Sequence, residues 1–215
     1  MPGSPAQRSS SRCKDALERD LRARGFSYVA GVDEVGRGSL FGAVVAAAVV
    51  LSPARAIRGL DDSKLLTPER REVLSDRIRE RAVAWSIAQV DAATIDRINI
   101  YQASRLAMKL AIERLDVLVD FLLIDAVPID LCIPQWPMIK ADEQCHAVAA
   151  ASIVAKVWRD QRMVEFHETY PQYGLARHKG YNCPEHTRAL REYGPSPLHR
   201  MSFLPVRLNA RAAPA

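Results

Sequence analysis

Apolar segments of two lengths alternate along the chain, and their spacing indicates which of them are strands. Residues 28–35 and 43–51 are apolar runs on either side of a glycine-rich stretch, which predicts two antiparallel strands joined by a tight turn. Residues 82–90 predict a third strand. The uninterrupted apolar run at 119–124 is typical of a buried parallel strand, and a short edge strand is expected at 138–140.

Helices are predicted where apolar residues recur every three or four positions. An amphipathic pattern covers 13–24. Thr67 followed by Pro68 is typical of an N-cap and a first helical position, so a helix is expected from there to about residue 81. Asn99 predicts the start of another helix. The elements expected near the end of the chain are a long helix at 144–170, a loop at 171–180 and a short helix at 184–193.

The order of these elements indicates one domain of the α/β class with a mixed sheet, because a meander of strands is followed by strands that alternate with helices. A chain of 215 residues with a hydrophobic fraction of 48% is long and apolar enough for one such core. We expect residues 13–207 to form this domain. The Ser/Pro/Arg-rich start, 1–12, is expected to be a disordered leader, and 208–215 a flexible tail.

Composition argues against a membrane protein. The longest purely apolar run, at 43–51, is about half of the roughly 20 residues that a spanning helix needs. The first residues contain no apolar core of a signal peptide. The four cysteines are scattered and form no C-x-x-C pair. Together these features predict a cytoplasmic protein with reduced thiols.

The net charge of +5 is concentrated toward the end of the chain. Residues 1–155 contain 20 basic and 20 acidic side chains, whereas residues 156–215 contain 10 and 5. An excess of positive charge in one region is typical of a surface that faces an anionic polymer. The distribution therefore favours nucleic acid as a partner.

The stretch 29–42 carries the most distinctive chemistry. An apolar run precedes Asp33 and Glu34, and two glycines follow shortly after, at Gly36 and Gly38. An ionised carboxylate without a partner is costly inside a core, so these acids need a cation or a proton. Neighbouring strand side chains point to opposite faces, so the two acids can share a site only if the strand ends or bends there. The glycines make such a bend possible; alternatively, the pair simply precedes a polar hairpin turn.

Two further acids follow apolar segments in the same way. Asp125 ends the strand predicted at 119–124, and Asp142 follows the predicted edge strand. Each alone could be a turn former or a helix cap, but ligands gather at strand ends in α/β sheets. Four carboxylates that converge there would need cations, and oxygen ligands favour Mg²⁺ or Mn²⁺ over zinc. Two such ions about 4 Å apart can clamp the attacking and leaving oxygens of a phosphodiester.

A series of short blocks follows along the chain. One block, at 31–38, reads Gly-Val-Asp-Glu-Val-Gly-Arg-Gly. The others lie at 62–64, 123–125, 140–142, 150–153, 155–157, 159–160, 178–181, 199–200 and 202–203. Together, though not singly, these blocks specifically resemble bacterial ribonuclease HII, of the type 2 ribonuclease H family. Two positions depart from the family's pattern. Ala141 stands where many relatives have glycine, and Asn182-Cys183 replaces a Pro-Thr pair, which puts in doubt a hydroxyl contact from position 183.

The resemblance implies a ribonuclease H-like fold: a five-stranded mixed sheet flanked by helices, with a C-terminal helical extension. It also implies an endoribonuclease that hydrolyses the RNA strand of RNA–DNA hybrids and cuts 5′ of ribonucleotides embedded in duplex DNA. Such an enzyme would act by a two-metal-ion mechanism and leave 3′-hydroxyl and 5′-phosphate ends. We expect it to be a monomer.

Individual roles follow from the same resemblance. The residues that match the family's catalytic metal ligands are Asp33, Glu34, Asp125 and Asp142. The residues that match the turn touching the ribose 2′-hydroxyl are Gly36, Arg37 and Gly38. Tyr181 matches the tyrosine that packs on the sugar beyond the cut. These roles are chemically consistent, because the 2′-hydroxyl is the group that distinguishes a ribonucleotide from its deoxy neighbour.

Several candidates keep an alternative interpretation. Arg37 is either a phosphate ligand or a solvated turn cation. Lys64 and Lys179 are candidates for substrate phosphate, with a solvated helix-entry cation as the alternative for Lys64. Asp160 either supports the site or forms a surface ion pair with a neighbour. Tyr181 is either a substrate contact or a core residue that closes the C-terminal helices.

Two rival functions belong to different classes. One is another metal-dependent nuclease of the same fold, such as a junction resolvase or an integrase. The glycine-rich turn and the block at 178–181 argue against it. The other is a non-catalytic module that binds RNA–DNA hybrids, which would not need four acids at strand ends.

Overall fold

Five strands form one mixed sheet in the computed structural model, which describes residues 15–61 and 63–210. The strands are β1 (Val29–Val35), β2 (Val44–Val50), β3 (Ala84–Val90), β4 (Phe121–Asp125) and β5 (Gln135–Met138). The helices are α1 (Ala16–Ala23), α2 (Pro68–Arg81), α3 (Ala92–Glu113), α4 (Ala141–Gln144), α5 (His146–Thr169), α6 (Leu175–His178), α7 (Pro184–Tyr193) and α8 (Leu204–Ala210). The strand order is β3-β2-β1-β4-β5. The expected five-stranded mixed sheet is confirmed.

β1 is the central strand of the sheet, and β2 and β4 pair with it on either side. It pairs antiparallel with β2 and parallel with β4, in a register that places Val32 opposite both Ala48 and Ile124. The backbone of α5 crosses β1 so closely that a Cβ added at Gly31 would lie 2.0 Å from the carbonyl carbon of Ala147. Glycine on the strand and alanines at the start of the helix are therefore required for this contact.

The core has one layer of helix on each side of the sheet. On one side, α3 packs Ala107, Met108 and Ala111 against the sheet, with β2 and β3 its main neighbours. On the other side, α5 and α2 bury a second cluster that includes Leu74 and Ile153. Because both faces of β1 and β2 are covered, these strands are almost continuously apolar, as their sequences predicted. None of the helices in the described part of the chain combines the length and apolar character that crossing a membrane requires.

The capping predictions are correct, with one helix start missed. The Thr67 hydroxyl accepts a hydrogen bond from the Arg70 backbone N–H at 3.3 Å, and α2 begins at Pro68. Asn99 does cap a helical segment, because its side-chain oxygen accepts from the Gln102 backbone N–H at 3.1 Å. However, α3 already begins seven residues earlier, at Ala92, and Asn99 marks a kink with φ 68° inside it. The prediction for this helix was therefore too short.

Other boundaries also differ from the sequence predictions. β5 spans Gln135–Met138 rather than 138–140, because it pairs in parallel with β4 and an edge position tolerates Pro137. The loop expected at 171–180 contains a 3₁₀ turn and α6. α8 continues to Ala210, three residues past the expected domain boundary at 207. The leader expected at 1–12 lies outside the described residues.

Candidate active site

Three carboxylates from two neighbouring strands lie together at one edge of the sheet. Asp33 and Glu34 come from β1, and Asp125 is the last residue of β4. One oxygen of each lies within 4.8 Å of the others, and no further group of this kind occurs within the described ranges. The parallel register, in which Val32 faces Ile124, brings the two strands to this point together. The predicted convergence of these three acids is confirmed.

Asp33 and Glu34 share the site although they are adjacent on a strand. β1 continues past both acids to Val35, the limit that the sequence predicted for the first strand. The Asp33 carboxylate accepts a hydrogen bond from the Glu34 backbone N–H at 2.7 Å, which turns it along the strand toward its neighbour. Gly36 follows with φ 89°, so the chain leaves the sheet immediately after the two acids.

Asp142, the fourth predicted acid, lies beside this cluster. It is the second residue of α4 and is buried, with an exposed fraction of 5%. Asp125 fixes the start of the same short helix, because its carboxylate accepts from the Ala141 backbone N–H at 2.9 Å. The Asp142 carboxylate also lies 3.7 Å from the Lys64 ammonium and contributes to the negative field at Asp33. The sequence therefore identified all four acids, three of which share the tight cluster.

Burial and mutual repulsion make it unfavourable for all the carboxylates of the cluster to be ionised at once. Burial, and then the charges of Glu34 and Asp125, raise the pKa of Asp33 well above its usual value, although a hydrogen bond with Ser152 works in the opposite direction. Burial also raises the pKa of Glu34, and the neighbouring Arg37 partly counters this. Such a site binds either protons or a cation. Oε2 of Glu34 is buried and has no hydrogen-bond partner, so the site offers an unused ligand oxygen.

The donor set fits a hard divalent cation. Its oxygens come entirely from carboxylates, which Mg²⁺ and Mn²⁺ prefer and which zinc sites rarely use alone. A cation would remove the repulsion that raises the pKa of Asp33 and would satisfy the free oxygen of Glu34.

The glycine turn that follows β1 is held from below by two buried arginines. Arg159 of α5 donates to the carbonyl of Phe41 at 3.4 Å and to that of Lys179 at 3.0 Å. Arg200 donates to the carbonyls of Arg37 and Gly42, at 2.8 and 2.9 Å. Both guanidiniums are fully buried, with an exposed fraction of 0%. The turn is therefore a rigid part of the site, because its carbonyls are tied to side chains that cannot move into solvent.

Sequence reasoning placed both arginines in family blocks but assigned them no role. A usable signal exists for Arg159, because a cation that interrupts the alanine-rich face of a long helix must find acceptors inside the protein. No comparable local signal exists for Arg200, whose partners lie more than 150 residues away.

The Arg37 side chain contacts the acid cluster. Its Nη1 lies 3.0 Å from Oε1 of Glu34, and the side chain is 40% exposed. The ion pair orients Glu34 and leaves part of the guanidinium open to solvent. Neither of the two predicted alternatives, a phosphate ligand or a purely solvated cation, describes this contact.

Tyr181 stands next to the glycine turn. Its backbone bridges to Ser39, and a Cβ added at Gly38 would lie 4.0 Å from the ring. The ring is half-buried, with the Arg159 guanidinium 5.3 Å and the Lys156 ammonium 6.0 Å from its centre. It belongs to none of the apolar clusters formed by the described residues. The ring is therefore part of the partly exposed surface beside the turn rather than of an apolar cluster, and its substrate role stays a prediction.

The remaining polar candidates occupy separate places. The Lys64 side chain is 78% exposed and pairs with Asp142, so it lies at the mouth of the acid cluster. The Lys179 ammonium donates to the carbonyl of Ala176 at 2.6 Å and is only half-exposed. Asp160 forms an ion pair with Lys156 at 2.7 Å, but both side chains are largely buried, so the pair does not have the surface position that was predicted.

Comparison with known proteins identifies the family. The sequence model described as "Ribonuclease HII" matches residues 30–206. A curated "Ribonuclease HII" from Solibacter usitatus is 66% identical over 200 residues, which cover 93% of this chain and 88% of the relative. The chain belongs to the ribonuclease HII family. It is therefore a ribonuclease H, an endonuclease that acts on nucleic acid, and the rival interpretation as a non-catalytic module is set aside.

Solved structures agree with the ribonuclease HII assignment. The crystal structure of ribonuclease H2 from Pyrococcus horikoshii OT3 has a TM-score of 0.75 and 25% identity, over 86% of this chain and 98% of that one. The structure of the PCNA:RNase HII complex from Archaeoglobus fulgidus has a TM-score of 0.70 and 27% identity, over 81% and 94%. Both confirm the ribonuclease H-like fold.

Proposed function

We propose that this ribonuclease HII hydrolyses the RNA strand of RNA–DNA hybrids and cuts 5′ of single ribonucleotides embedded in duplex DNA, leaving 3′-hydroxyl and 5′-phosphate ends. The observation that carries the proposal is the adjacency of three elements. The acid cluster is followed after one residue by the glycine turn, and the Tyr181 ring stands beside Gly38. A phosphodiester at the acids would therefore have its sugars beside the turn and the ring.

We propose that two divalent cations, Mg²⁺ or Mn²⁺, are held by Asp33, Glu34, Asp125 and Asp142. The crowded negative charge and the unused oxygen of Glu34 support this assignment. When bound, such ions supply the positive charge that activates the attacking water and stabilises the leaving oxygen. Asp142, which lies beside the tight cluster rather than within it, is the natural ligand for the part of the site near Lys64.

The protein's own groups orient these ligands before any substrate arrives. The Glu34 backbone N–H and Ser152 hold the Asp33 carboxylate, and the Ala141 backbone N–H holds Asp125. Arg37 holds Glu34. Ligands fixed in this way need little reorganisation during the reaction, which is the main requirement of phosphoryl-transfer chemistry.

Recognition of the ribonucleotide would fall to the glycine turn. Gly36 and Gly38 present no side chain, so a 2′-hydroxyl can approach the backbone of this turn closely. Tyr181 would pack on the next sugar, with the charge of Arg159 beneath its ring. Arg37, Lys64 and Lys179 remain candidates for phosphate contacts. All the proposed groups belong to one chain, which is compatible with the predicted cytoplasmic monomer.

The direct test is cleavage of a labelled DNA duplex that contains one ribonucleotide, in Mg²⁺, in Mn²⁺ and in EDTA. We expect a single cut 5′ of the ribonucleotide with either metal and none in EDTA. An all-DNA duplex of the same sequence is the control and should stay intact. Cleavage of long hybrids with no cleavage of the single-ribonucleotide duplex would refute the junction activity but not the ribonuclease H assignment.

A further inference from the structure

Two buried histidines join the segment that carries Tyr181 to a second segment that packs on the glycine turn. His186 lies on α7, and His199 lies in the loop before α8. Their Nε2 atoms are 3.0 Å apart, and their exposed fractions are 0% and 1%. Neither ring belongs to the acid cluster, so the chemistry described above gives them no role.

The hydrogen-bond partners determine which nitrogen of each ring carries the proton. Nδ1 of His186 lies 3.0 Å from the backbone carbonyl oxygen of Tyr181, which can only accept, so this nitrogen is the donor. Nδ1 of His199 accepts from the Ser196 backbone N–H at 2.9 Å, so the proton of His199 lies on Nε2. Nε2–H of His199 therefore donates to the bare Nε2 of His186. One directed chain of hydrogen bonds runs from Ser196 to the carbonyl of Tyr181.

This chain requires both rings to be neutral, and their surroundings make them so. Burial lowers the pKa of His186 to about 4, and burial together with the facing His186 lowers the pKa of His199 to about 3. His178 stacks on His186, with ring centres 4.6 Å apart. The ring of His186 is therefore held in position from its face as well as by its two nitrogens.

The two segments that the histidines connect lie on either side of residues 39–42, the far end of the glycine turn. Ser39 bridges to Tyr181, and Phe41 bridges to His199, both in antiparallel pairing. The hydrogen bond between His186 and His199 joins the two segments directly, so each segment contacts both residues 39–42 and the other segment. The Tyr181 backbone is thus held beside the glycine turn both by its bridge to Ser39 and by its bond to His186.

We propose that His186 and His199 are positioning residues that hold Tyr181 at a set distance from the glycine turn. They would thereby determine how well the enzyme distinguishes a single ribonucleotide followed by DNA from a continuous RNA–DNA hybrid. The inference rests on the proposed role of Tyr181 at the sugar beyond the cut. The physical reason is that a sugar contact depends on a position held within a fraction of an ångström, which an exposed loop alone does not provide.

Two near-isosteric variants of His186 separate the positioning role from general stability. His186→Asn keeps an amide near the Nδ1 position and can still donate to the Tyr181 carbonyl, but it does not reach His199. His186→Gln reaches the Nε2 position and can still accept from His199, but it loses the bond to Tyr181. Both variants break one buried hydrogen bond, so both should lower the melting temperature by a similar amount.

The measured quantity is the ratio of kcat/KM on the single-ribonucleotide duplex to kcat/KM on a long hybrid, well below the melting temperature. We expect this ratio to fall by about tenfold in His186→Gln, which frees the Tyr181 carbonyl, and by about threefold in His186→Asn, which keeps that bond but disconnects His199. Equal ratios in the two variants would overturn the positioning role. If His186→Gln does not fold, His186→Asn and His199→Asn break the bond between the two rings from opposite sides and should both show the smaller fall, with His199→Gln, which keeps that bond, as the control. A wild-type ratio in both asparagine variants would overturn the proposal.

The Tyr181→Ala background distinguishes failure of this inference from failure of the proposed function. If His186 acts through Tyr181, His186→Gln should leave the ratio unchanged once the ring is gone. A further fall of the same size in that background would overturn the inference alone. If Tyr181→Ala itself leaves the ratio unchanged, the proposed role of Tyr181 is wrong, and the positioning role fails with it.

Discussion

The glycine turn provides a matched pair of substitutions with opposite expected outcomes. Gly36 has φ 89°, and a Cβ added there would lie 2.3 Å from Nε of Arg159. Gly38, two residues later, is exposed, has no positive φ, and would place a Cβ 4.0 Å from the Tyr181 ring. Gly36→Ala should therefore destabilise the protein strongly, and Gly38→Ala should not.

Two costs contribute at Gly36. An alanine forced into the left-handed region costs about 1–2 kcal/mol. The collision adds to this, because Arg159 is fully buried and can move away only by weakening its bonds to the carbonyls of Phe41 and Lys179. Losing one such bond costs about 1–3 kcal/mol, so the expected total is about 2–5 kcal/mol. At Gly38 the change should lie within about 1 kcal/mol of zero in either direction.

Urea unfolding followed by circular dichroism measures both values, as a shift of the midpoint at constant slope. Gly36→Ala should also lose cleavage, because the turn and the adjacent acids share one backbone. A loss of stability at Gly36 below about 1 kcal/mol, or an equal loss at Gly38, would refute the claim that the turn is held rigidly by Arg159.

Two further predictions concern pH and salt. The pKa values of His186 and His199 are lowered to about 4 and about 3 in the folded protein, so between pH 6.5 and 4 the unfolded chain binds protons that the native state does not. The stability of the wild type relative to His186→Asn should therefore be constant above about pH 6.5 and fall as the pH drops toward 4, by about 3 kcal/mol; a difference in stability that stays constant across this window would contradict the neutral pair. Substrate affinity should fall steeply with salt, and replacing Lys179 and Arg188 together by glutamine should flatten the slope of log affinity against log salt; an unchanged slope would place the nucleic-acid surface elsewhere. The matched control for this charge change replaces two exposed arginines at the start of the domain, Arg19 of α1 and Arg24 directly after it.

Local patterns in the sequence predicted most of the fold. α2 begins where the cap at Thr67 and Pro68 predicted, and α7 spans the predicted 184–193. The apolar runs predicted the limits of β1, β2, β3 and β4 closely. These features depend on residues close together in the chain. β5 was misplaced, because its position depends on pairing with β4 rather than on a local pattern in its own sequence. The early start of α3 was missed for a different reason: the cap at Asn99 is real, but it lies inside a kinked helix.

The sequence predicted which acidic residues lie near one another, but not the contacts that they make. The position of acids after apolar runs predicted that Asp33, Glu34, Asp125 and Asp142 converge, and the first three do so within 4.8 Å. The arrangement in which Asp142 stands beside a group of three depends on how Ala141 and Asp125 meet across the sheet edge. The hydrogen bonds that Arg159 and Arg200 donate to the turn join residues far apart in the chain, so no local sequence pattern can indicate them. The hydrogen bonds of His186 and His199 could not be predicted either, because they depend on which ring nitrogen faces which acceptor in the folded protein.

The central claim is that the clustered acids hold the metal ions that cut the strand. The single-turnover rate of Asp125→Asn on the single-ribonucleotide duplex in Mg²⁺ tests this most directly. The variant keeps the shape of the side chain and an oxygen that can accept from the Ala141 N–H, and it relieves the repulsion at Asp33. We therefore expect a melting temperature in EDTA that is equal to or above that of the wild type, together with a rate at least about a thousandfold lower. Cleavage at the wild-type rate by the folded variant would contradict the account.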